Sequence, residues 1–201
     1  MAFWNSHESA PMRNYRWQLQ IKGITAEGSD IVWWAKTVNV PSWDMNEVEH
    51  DYFDNKYYFP GRVTWQDVEV TLVDPVSPSC VELTNKMLEG SGYNIAKSKT
   101  EVKQTISKAK AADPAGSGVG LFVLTLYNAE GVAKESWTLN NAFVKAAKYG
   151  DMDYSNDDLR QISLTIKYDW ATCTIGTTTS FGLEAGSGTQ QSGTPEIDGD
   201  L

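Results

Sequence analysis

The sequence predicts a mainly β protein, a sandwich or a curled sheet, with one firm α-helix and a pair of long strands joined by a turn. Three observations predict this fold class. Polar and nonpolar residues alternate with period two along several segments, only one segment has clear helical spacing, and turn residues separate the segments. With 201 residues, 41% of them hydrophobic, the chain is long enough to bury a core of this kind.

Two strands are predicted before residue 41. Alternation over 15–22 indicates a half-buried strand, and the run 31–40 (IVWWAKTVNV) is nonpolar and β-branched enough to indicate burial on both faces. Pro41 ends this second strand because proline donates no ladder hydrogen bond. The nonpolar face of the first strand carries Tyr15, Trp17, Leu19 and Ile21.

The segment 38–74 predicts a pair of long strands joined by a turn at Pro60-Gly61. Three carboxylates of its first strand alternate with three other residues, and successive strand side chains point to opposite faces. One face is therefore acidic and the other mixed and partly nonpolar. The carboxylates are Glu47, Glu49 and Asp51, and the residues between them are Val48, His50 and Tyr52. A charged face must contact water or a polar surface rather than the core, so this strand is the strongest functional candidate.

The second half of the body contains one helix and further strands. Ser77-Pro78 is typical of a helix start and Gly90 of a helix end, with a nonpolar stripe between them. Strands are predicted at 68–72, 121–127 and 162–170, and a hairpin connection at 128–131. We expect the tryptophans beside strands to pack in the core: Trp17, Trp65, Trp137 and Trp170.

Composition divides the chain into three parts. Residues 1–12 are predicted to be a flexible arm and 13–173 the folded β domain. A lysine-rich insertion at 96–112 is either a mobile loop or a helix that forms only against a neighbour. Residues 174–201 are rich in Gly, Ser and Thr and are predicted to be disordered.

Charge and cysteine content exclude several classes of protein. The net charge of −9 argues against a protein that binds nucleic acid by neutralising its phosphates. Two distant cysteines provide neither a disulfide framework nor a zinc site, which favours ordinary thiols in a reducing compartment. Neither a signal peptide nor a membrane span is expected, because no basic n-region or long nonpolar run occurs.

No residue is predicted to be catalytic, to bind a cofactor or to bind a metal. The only histidines are His7 in the arm and His50, which we interpret as a sheet-face residue. The acidic run 151–158 departs from a calcium loop at Asn156 and Ile162. Abundant carboxylates leave a glycosidase-like pair open, but nothing else in the chain supports an enzyme.

A β-rich acidic body without catalytic residues is expected to act through its surfaces. Open sheet edges invite strands from neighbours, and a symmetric ring is one way to close them. If the acidic face lined such a ring, the bore would repel nucleic acid and let it slide. The alternative is a solvated outer face that serves only solubility.

The order and spacing of several segments resemble the tail tube proteins of contractile-tailed bacteriophages. The resemblance covers about residues 13–172. The matching segments are Tyr15-Arg-Trp-Gln-Leu, 33–41, Glu47-Val-Glu49, Pro60-Gly61-Arg62, Trp65-Gln-Asp-Val-Glu-Val-Thr-Leu, the helix after Asp74, the acidic turn 153–158, and the strand 162–170.

The resemblance implies a subunit of two packed antiparallel sheets, a β-sandwich or barrel, with one flanking α-helix and a long β-hairpin. It also implies a structural virion protein of the tail, made in the host cytoplasm. Its subunits would form hexameric rings whose sheets join into a continuous inner β-barrel, and the rings would stack into a tube that conducts DNA. Sheath, baseplate and tail-terminator proteins would be its partners. It further implies that the face of Glu47, Glu49 and Asp51 lines either the lumen or the contact between stacked rings, and we take the lumen as the site hypothesis. The hairpin at about 46–66 would reach the adjacent ring. The hairpin residues implied in that contact are Phe53, Tyr57, Tyr58, Phe59, Pro60, Gly61 and Arg62.

Two kinds of alternative stay open. The lysine-rich insertion and the polar tail depart from the family pattern, so the chain is alternatively a baseplate or neck tube initiator, or a tube subunit of an injection system. An alternative of a different class is a monomeric β-sandwich that binds carbohydrate through exposed tryptophans and acidic residues.

Overall fold

The computed structural model describes residues 11–21, 32, 34–77, 79–94, 105–113, 119–155, 157–176 and 178–181. Within these ranges the chain is mainly β, as the sequence predicts. The strands in chain order are β1 (Trp17–Ile21), β2 (Ala35–Val38), β3 (Trp43–Tyr52), β4 (Asn55–Trp65), β5 (Val68–Val73), β6 (Phe122–Tyr127), β7 (Ala133–Asn140), β8 (Phe143–Lys148), β9 (Gln161–Lys167), β10 (Trp170–Ile175) and β11 (Thr178–Phe181).

The strands form two antiparallel sheets and a separate hairpin. One sheet has the order β1-β6-β7-β10-β11 and the other β2-β5-β9-β8, while β3 and β4 pair only with each other. A single hydrophobic core draws side chains from both sheets. In the four-stranded sheet, the inward residues of β5 and β9 face each other in register, as in the pair Val70 and Leu164. Period-two patterning therefore produced the core that the sequence predicts.

Helix α1 (Cys80–Gly90) packs on this core through Cys80, Leu83 and Met87. It begins later than the predicted start at 77–78, and residue 78 lies outside the described residues. The Cys80 amide donates a 2.8 Å hydrogen bond to the Asp74 carboxylate, which Arg160 also contacts at 3.1 Å. An acidic side chain from the preceding loop thus caps the helix N-terminus.

Gly92, rather than the predicted Gly90, makes the C-terminal cap of α1. Gly92 has φ 98°, its amide bonds to the Glu89 carbonyl, and the Tyr93 amide bonds to the Leu88 carbonyl. These two bonds make a Schellman cap, which requires the left-handed conformation that glycine adopts readily. A Cβ at this position would lie 2.9 Å from the Thr105 carbonyl oxygen, so glycine also permits a close backbone approach.

Two strand predictions were wrong in detail. The run 31–40 was expected to be buried on both faces, but β2 is a four-residue edge strand whose central residues, Lys36 and Thr37, are exposed. The run 162–170 was expected to be one strand, but β9 ends at Lys167 and the chain turns into β10. Trp170 therefore lies on a different strand and is 39% exposed, whereas the other three predicted tryptophans pack against the core.

The predicted domain boundaries fall partly outside the described residues. Residues 1–10, 95–104 and 182–201 are not described, which covers most of the arm, the insertion and the tail. Within the insertion, α2 (Lys108–Ala111) is a short helix whose Lys108 pairs with Asp169. Regular structure continues past position 173, where the composition changes, because β10 runs to Ile175 and β11 follows. Among the described residues, no helix has the length and nonpolar character needed to cross a membrane.

We predict that Leu164→Ala lowers the free energy of unfolding by about 2–5 kcal/mol, because it leaves a cavity in the shared core. Leu164 is fully buried. Leu159→Ala is the matched control, since Leu159 is 70% exposed in the loop before β9. Urea unfolding of both variants measures the difference, and equal losses would contradict the position assigned to the core.

Candidate functional site: the β3–β4 hairpin

The β3–β4 hairpin projects from the body as a two-stranded ribbon. All ten residues of β3 are exposed, as are the residues of β4 before Trp65. At about 3.3 Å per residue, an eleven-residue strand reaches on the order of 35 Å. A lone two-stranded ribbon is only marginally stable in water, because it has no third layer to cover it. The hairpin is therefore the part of this fold that most needs a partner.

The hairpin turns at Phe53-Asp54, so the predicted turn at Pro60-Gly61 was wrong. Tyr52 and Asn55 form the last cross-strand pair, and Phe53 has φ 52°. Asp54-Asn55 is the local turn signal that identifies this site, since both residue types favour turns.

Pro60 and Gly61 instead lie inside β4, where the register shifts at a β-bulge. Met45 pairs with Val63 and Glu47 with Pro60, so β4 has one residue more than β3 over this interval. A Cβ on Gly61 would lie 2.7 Å from the Asn46 carbonyl oxygen, which only glycine avoids without a shift.

The pairing register assigns the side chains to two faces, since directly opposed residues lie on the same side of an antiparallel pair. The first face carries Trp43, Met45, Glu47, Glu49, Asp51, Lys56, Tyr58, Pro60, Val63 and Trp65. The second face carries Asp44, Val48, His50, Tyr52, Asn55, Tyr57, Phe59 and Thr64. The predicted alternation is confirmed to this extent: the three carboxylates share one face, and the residues between them share the other.

The carboxylates of the first face are partly neutralised by one lysine. Lys56 Nζ pairs with Glu49 and lies 3.9 Å from Asp51 Oδ1. All three side chains are well exposed, so these ion pairs contribute at most about 1 kcal/mol each. Glu47 lies opposite Pro60. The distal half of the first face, between the bulge and the tip, therefore keeps a net negative charge.

The second face is aromatic over its distal half. Val48 lies opposite Phe59, and His50 lies opposite Tyr57. These positions are exposed, and His50 occupies the sheet-face position that the sequence predicts. Such a face is suited to contact a nonpolar surface.

The base of the hairpin is fastened to the four-stranded sheet. The Gln66 amide donates a 2.9 Å hydrogen bond to the Ser42 carbonyl, and the Trp65 ring lies 5.8 Å from the Tyr168 ring. Asp67, one residue further, contacts Lys145 and Lys167 at 2.7 Å each. The ribbon therefore leaves the body at a defined point.

The ion pairs of Asp67 lower its own pKa, and its negative charge affects the pKa of the neighbouring Tyr168. Hydrogen bonds from Lys145 and then Lys167 hold the pKa of Asp67 below its usual value. Burial, together with the negative charge of Asp67, raises the pKa of Tyr168 to about 12. Sequence reasoning missed this cluster because its lysines are remote in sequence, on β8 and β9.

The other sequence candidates take ordinary structural places. In the acidic run 151–158, the Ser155 amide and hydroxyl both donate to Asp153 Oδ1, and this lowers the pKa of Asp153. Asn156 lies outside the described residues. Cys80 and Cys173 are both buried, and no disulfide joins them. Across the described ranges, no group of three or more His, Cys, Asp or Glu could hold a metal ion.

Known proteins resemble the chain in structure. No family model and no curated protein sequence matches it. A chain of the anti-feeding prophage baseplate matches with a TM-score of 0.58 and 13% identity, over 84% of this chain and 97% of that one. A chain of the sheath-tube complex of the extracellular contractile injection system PVC, in its extended state, matches with a TM-score of 0.53 and 18% identity, over 88% and 99%. This protein shares its fold with these injection-system chains.

The SPP1 tail tube extends the comparison to a phage. Its structure matches with a TM-score of 0.51 and 13% identity, over 83% of this chain and 82% of that one. The resemblance inferred from sequence segments is thereby confirmed at the level of the fold. Each match spans most of both chains, so it concerns the whole β body rather than one sheet.

We predict that Asp67→Asn lowers stability by about 1 kcal/mol near neutral pH, because it removes both ion pairs. Since the folded pKa of Asp67 lies below its unfolded value, the stabilisation is present above about pH 4 and is lost as the pH falls further. The difference between wild type and variant should therefore shrink in acid. Thermal unfolding across this pH range measures it. Glu69→Gln, on the exposed side of β5, is the control, and identical profiles for the two variants would contradict the role of Asp67.

Proposed function

We propose that the protein is a structural subunit that self-assembles into stacked hexameric rings, forming the inner tube of a phage tail through which DNA passes. The exposed β3–β4 hairpin carries this proposal, because it is a marginal element on a fold shared with chains of tube assemblies. Assembly would supply the layers that the ribbon lacks.

Open sheet edges support ring formation. Among the described strands, β2 and β8 bound the four-stranded sheet, and each pairs with a neighbour on one side only. Exposed edges favour pairing with another chain, and a closed ring satisfies every edge without leaving two ends. A continuous inner β-barrel built from such pairing is the arrangement we propose.

The acidic half of the first face is proposed to line the bore. Glu47, Glu49 and Asp51 lie on one side of the ribbon, with Lys56 offsetting part of their charge. A wall of this sign repels phosphates, so DNA would slide rather than bind. No catalytic step is part of this role.

The proposed partners are other copies of the chain together with sheath, baseplate and tail-terminator proteins, in a virion tail assembled in the host cytoplasm. Similarity to a baseplate chain and to a sheath-tube chain of an injection system supports two close variants of the proposal. The chain would then be a tube initiator, or the tube subunit of an injection system, with the same assembly chemistry.

We predict that the purified protein forms six-membered rings and tubes with a central bore at high concentration, because its edges and hairpin need partners. Negative-stain electron microscopy and sedimentation velocity measure this. A protein that stays monomeric at every concentration and is retained on immobilised polysaccharide would instead support the carbohydrate-binding alternative.

We predict that reversing the charge of Glu47, Glu49 and Asp51 to Lys makes assembled tubes retain DNA at low salt, because the bore would attract phosphates. The control reverses Glu130, Asp151 and Asp157, which lie outside the hairpin, for the same change in net charge. Co-sedimentation of DNA with tubes is the measurement. Equal DNA retention by both variants would contradict the bore assignment.

A further inference from the structure

Both edge strands of the four-stranded sheet carry a lysine where their pairing register shifts. Lys36 of β2 lies between two residues that pair with adjacent positions of β5, and Lys145 of β8 lies between two residues that pair with adjacent positions of β9. Each lysine is therefore the extra residue of a β-bulge. The flanking pairs are Ala35 with Leu72 and Thr37 with Thr71 around Lys36, and Val144 with Ile166 and Ala146 with Thr165 around Lys145.

A bulge and a lysine each oppose the addition of a further strand to an exposed edge. The bulge interrupts the row of backbone N–H and C=O groups that a new strand would pair with, and the lysine is a charge that the new strand would bring out of water. Both lysine side chains are exposed. The two edges of this sheet thus share the same two features.

The edge strand β1 of the other sheet has neither feature. Its five residues contain no lysine, and it pairs with β6 in an unbroken register. Its far side is partly covered instead, because the Val32 amide donates a 2.8 Å hydrogen bond to the Leu19 carbonyl. The lysine at a bulge is therefore not a general property of the strand edges in this chain.

Strand direction allows β2 and β8 of different copies to meet. Each pair of neighbouring strands in the four-stranded sheet is antiparallel, so β2 and β8 run in opposite directions. In a ring of copies related by rotation, β8 of one copy would meet β2 of the next in antiparallel orientation. Such pairing would continue the same ladder from one copy to the next.

That pairing brings the two bulge lysines close together. In any antiparallel register that places all of β2 (Ala35–Val38) beside β8 (Phe143–Lys148), Lys36 lies opposite Lys145, Ala146 or Ala147. The greatest of these offsets is about 7 Å along the strand, which is less than the Debye length of about 8 Å at physiological ionic strength. Like charges in these positions destabilise a strand pair.

Asp67 does not cancel the charge on the β8 edge. Its carboxylate contacts both Lys145 and Lys167 at 2.7 Å. One carboxylate shared by two lysines leaves this group with a net positive charge. A neighbouring β2 strand would therefore bring Lys36 toward a positive group.

We propose that Lys36 and Lys145 restrain ring closure, because their like charges keep the β2 edge of one copy from pairing with the β8 edge of another at low protein concentration. The inference rests on the proposed ring closure through these edges and adds what regulates it. Rings then form only above a threshold concentration that the two lysines set.

The net charge of the chain separates this restraint from general repulsion between copies. The chain carries −9, so replacing one lysine by a neutral residue gives −10 (−9 − 1), and replacing it by glutamate gives −11 (−9 − 2). General repulsion between acidic copies predicts poorer assembly after either change. Loss of the restraint predicts the opposite, which is assembly at lower concentration.

Two substitutions of Lys36 and one matched control test the inference. Lys36→Thr removes the charge and keeps strand propensity, because threonine is β-branched. Lys36→Glu places a negative charge where it would face Lys145 of the next copy. Lys86→Glu is the control for net charge, since Lys86 lies on α1 with 63% of its side chain exposed and pairs with Glu82.

Lys36→Thr is expected to lower the protein concentration at which rings appear by about two- to fivefold, because a like-charge pair is lost. Lys36→Glu is expected to lower it further, whereas Lys86→Glu is expected to need at least the wild-type concentration. In about 1 M salt, where the Debye length is about 3 Å, the difference between Lys36→Thr and wild type is expected to disappear.

Sedimentation velocity over a concentration series measures the threshold, and electron microscopy identifies the rings. Circular dichroism shows whether each variant is folded. Lys145→Thr serves in place of a Lys36 variant that is not folded, because Lys167 keeps its contact with Asp67 after this change.

Three outcomes would overturn the inference while leaving the proposed function in place. They are wild-type rings with no lower threshold in the Lys36 variants, an equal lowering by Lys86→Glu, and a lower threshold of Lys36→Thr that persists in 1 M salt. Absence of rings in the wild type and in every variant would overturn the proposed function and this inference with it.

Discussion

The antiparallel pairing of β5 with β9 is the interaction on which the rest of the structure depends. Its inward side chains, such as Val70 and Leu164, form the centre of the core that both sheets and α1 share. The same two strands hold the hairpin, because β5 begins where the ribbon ends and β9 carries Lys167 to Asp67. Without that register neither the core nor the point at which the hairpin leaves the body would be defined.

The hairpin and the body differ in whether their nonpolar side chains are buried within one chain. The body buries its nonpolar side chains within one chain, whereas the ribbon leaves on the order of 1,000 Å² of nonpolar surface in water, by the usual area of aromatic side chains. Two local features stabilise the conformation of the ribbon: the bulge at Gly61 and the ion pairs of Asp67 at its base. These features hold its conformation but do not cover it, and this imbalance is the reason why we propose assembly.

Sequence reasoning succeeded where burial follows a local period. The strand of Val68, Val70 and Leu72 was predicted because side chains alternate between water and core. It failed where a local signal had two meanings. Pro60-Gly61 is typical of a turn and equally of a bulge, and only the cross-strand register, with Met45 opposite Val63 and Glu47 opposite Pro60, decides between them. Trp170 was misassigned because a turn at Tyr168-Asp169 starts a new strand within a continuous alternating pattern.

By itself the sequence determined the β class, the single firm helix, and the acidic alternation of Glu47, Glu49 and Asp51, because these depend on spacing along one strand or helix. Only the tertiary structure decided where the hairpin turns, how Asp67 meets its two lysines, and that the nonpolar side chains change faces at the bulge. The physical reason is register. Which residues oppose each other across a strand pair is set by hydrogen bonds between distant segments, and no local pattern contains it.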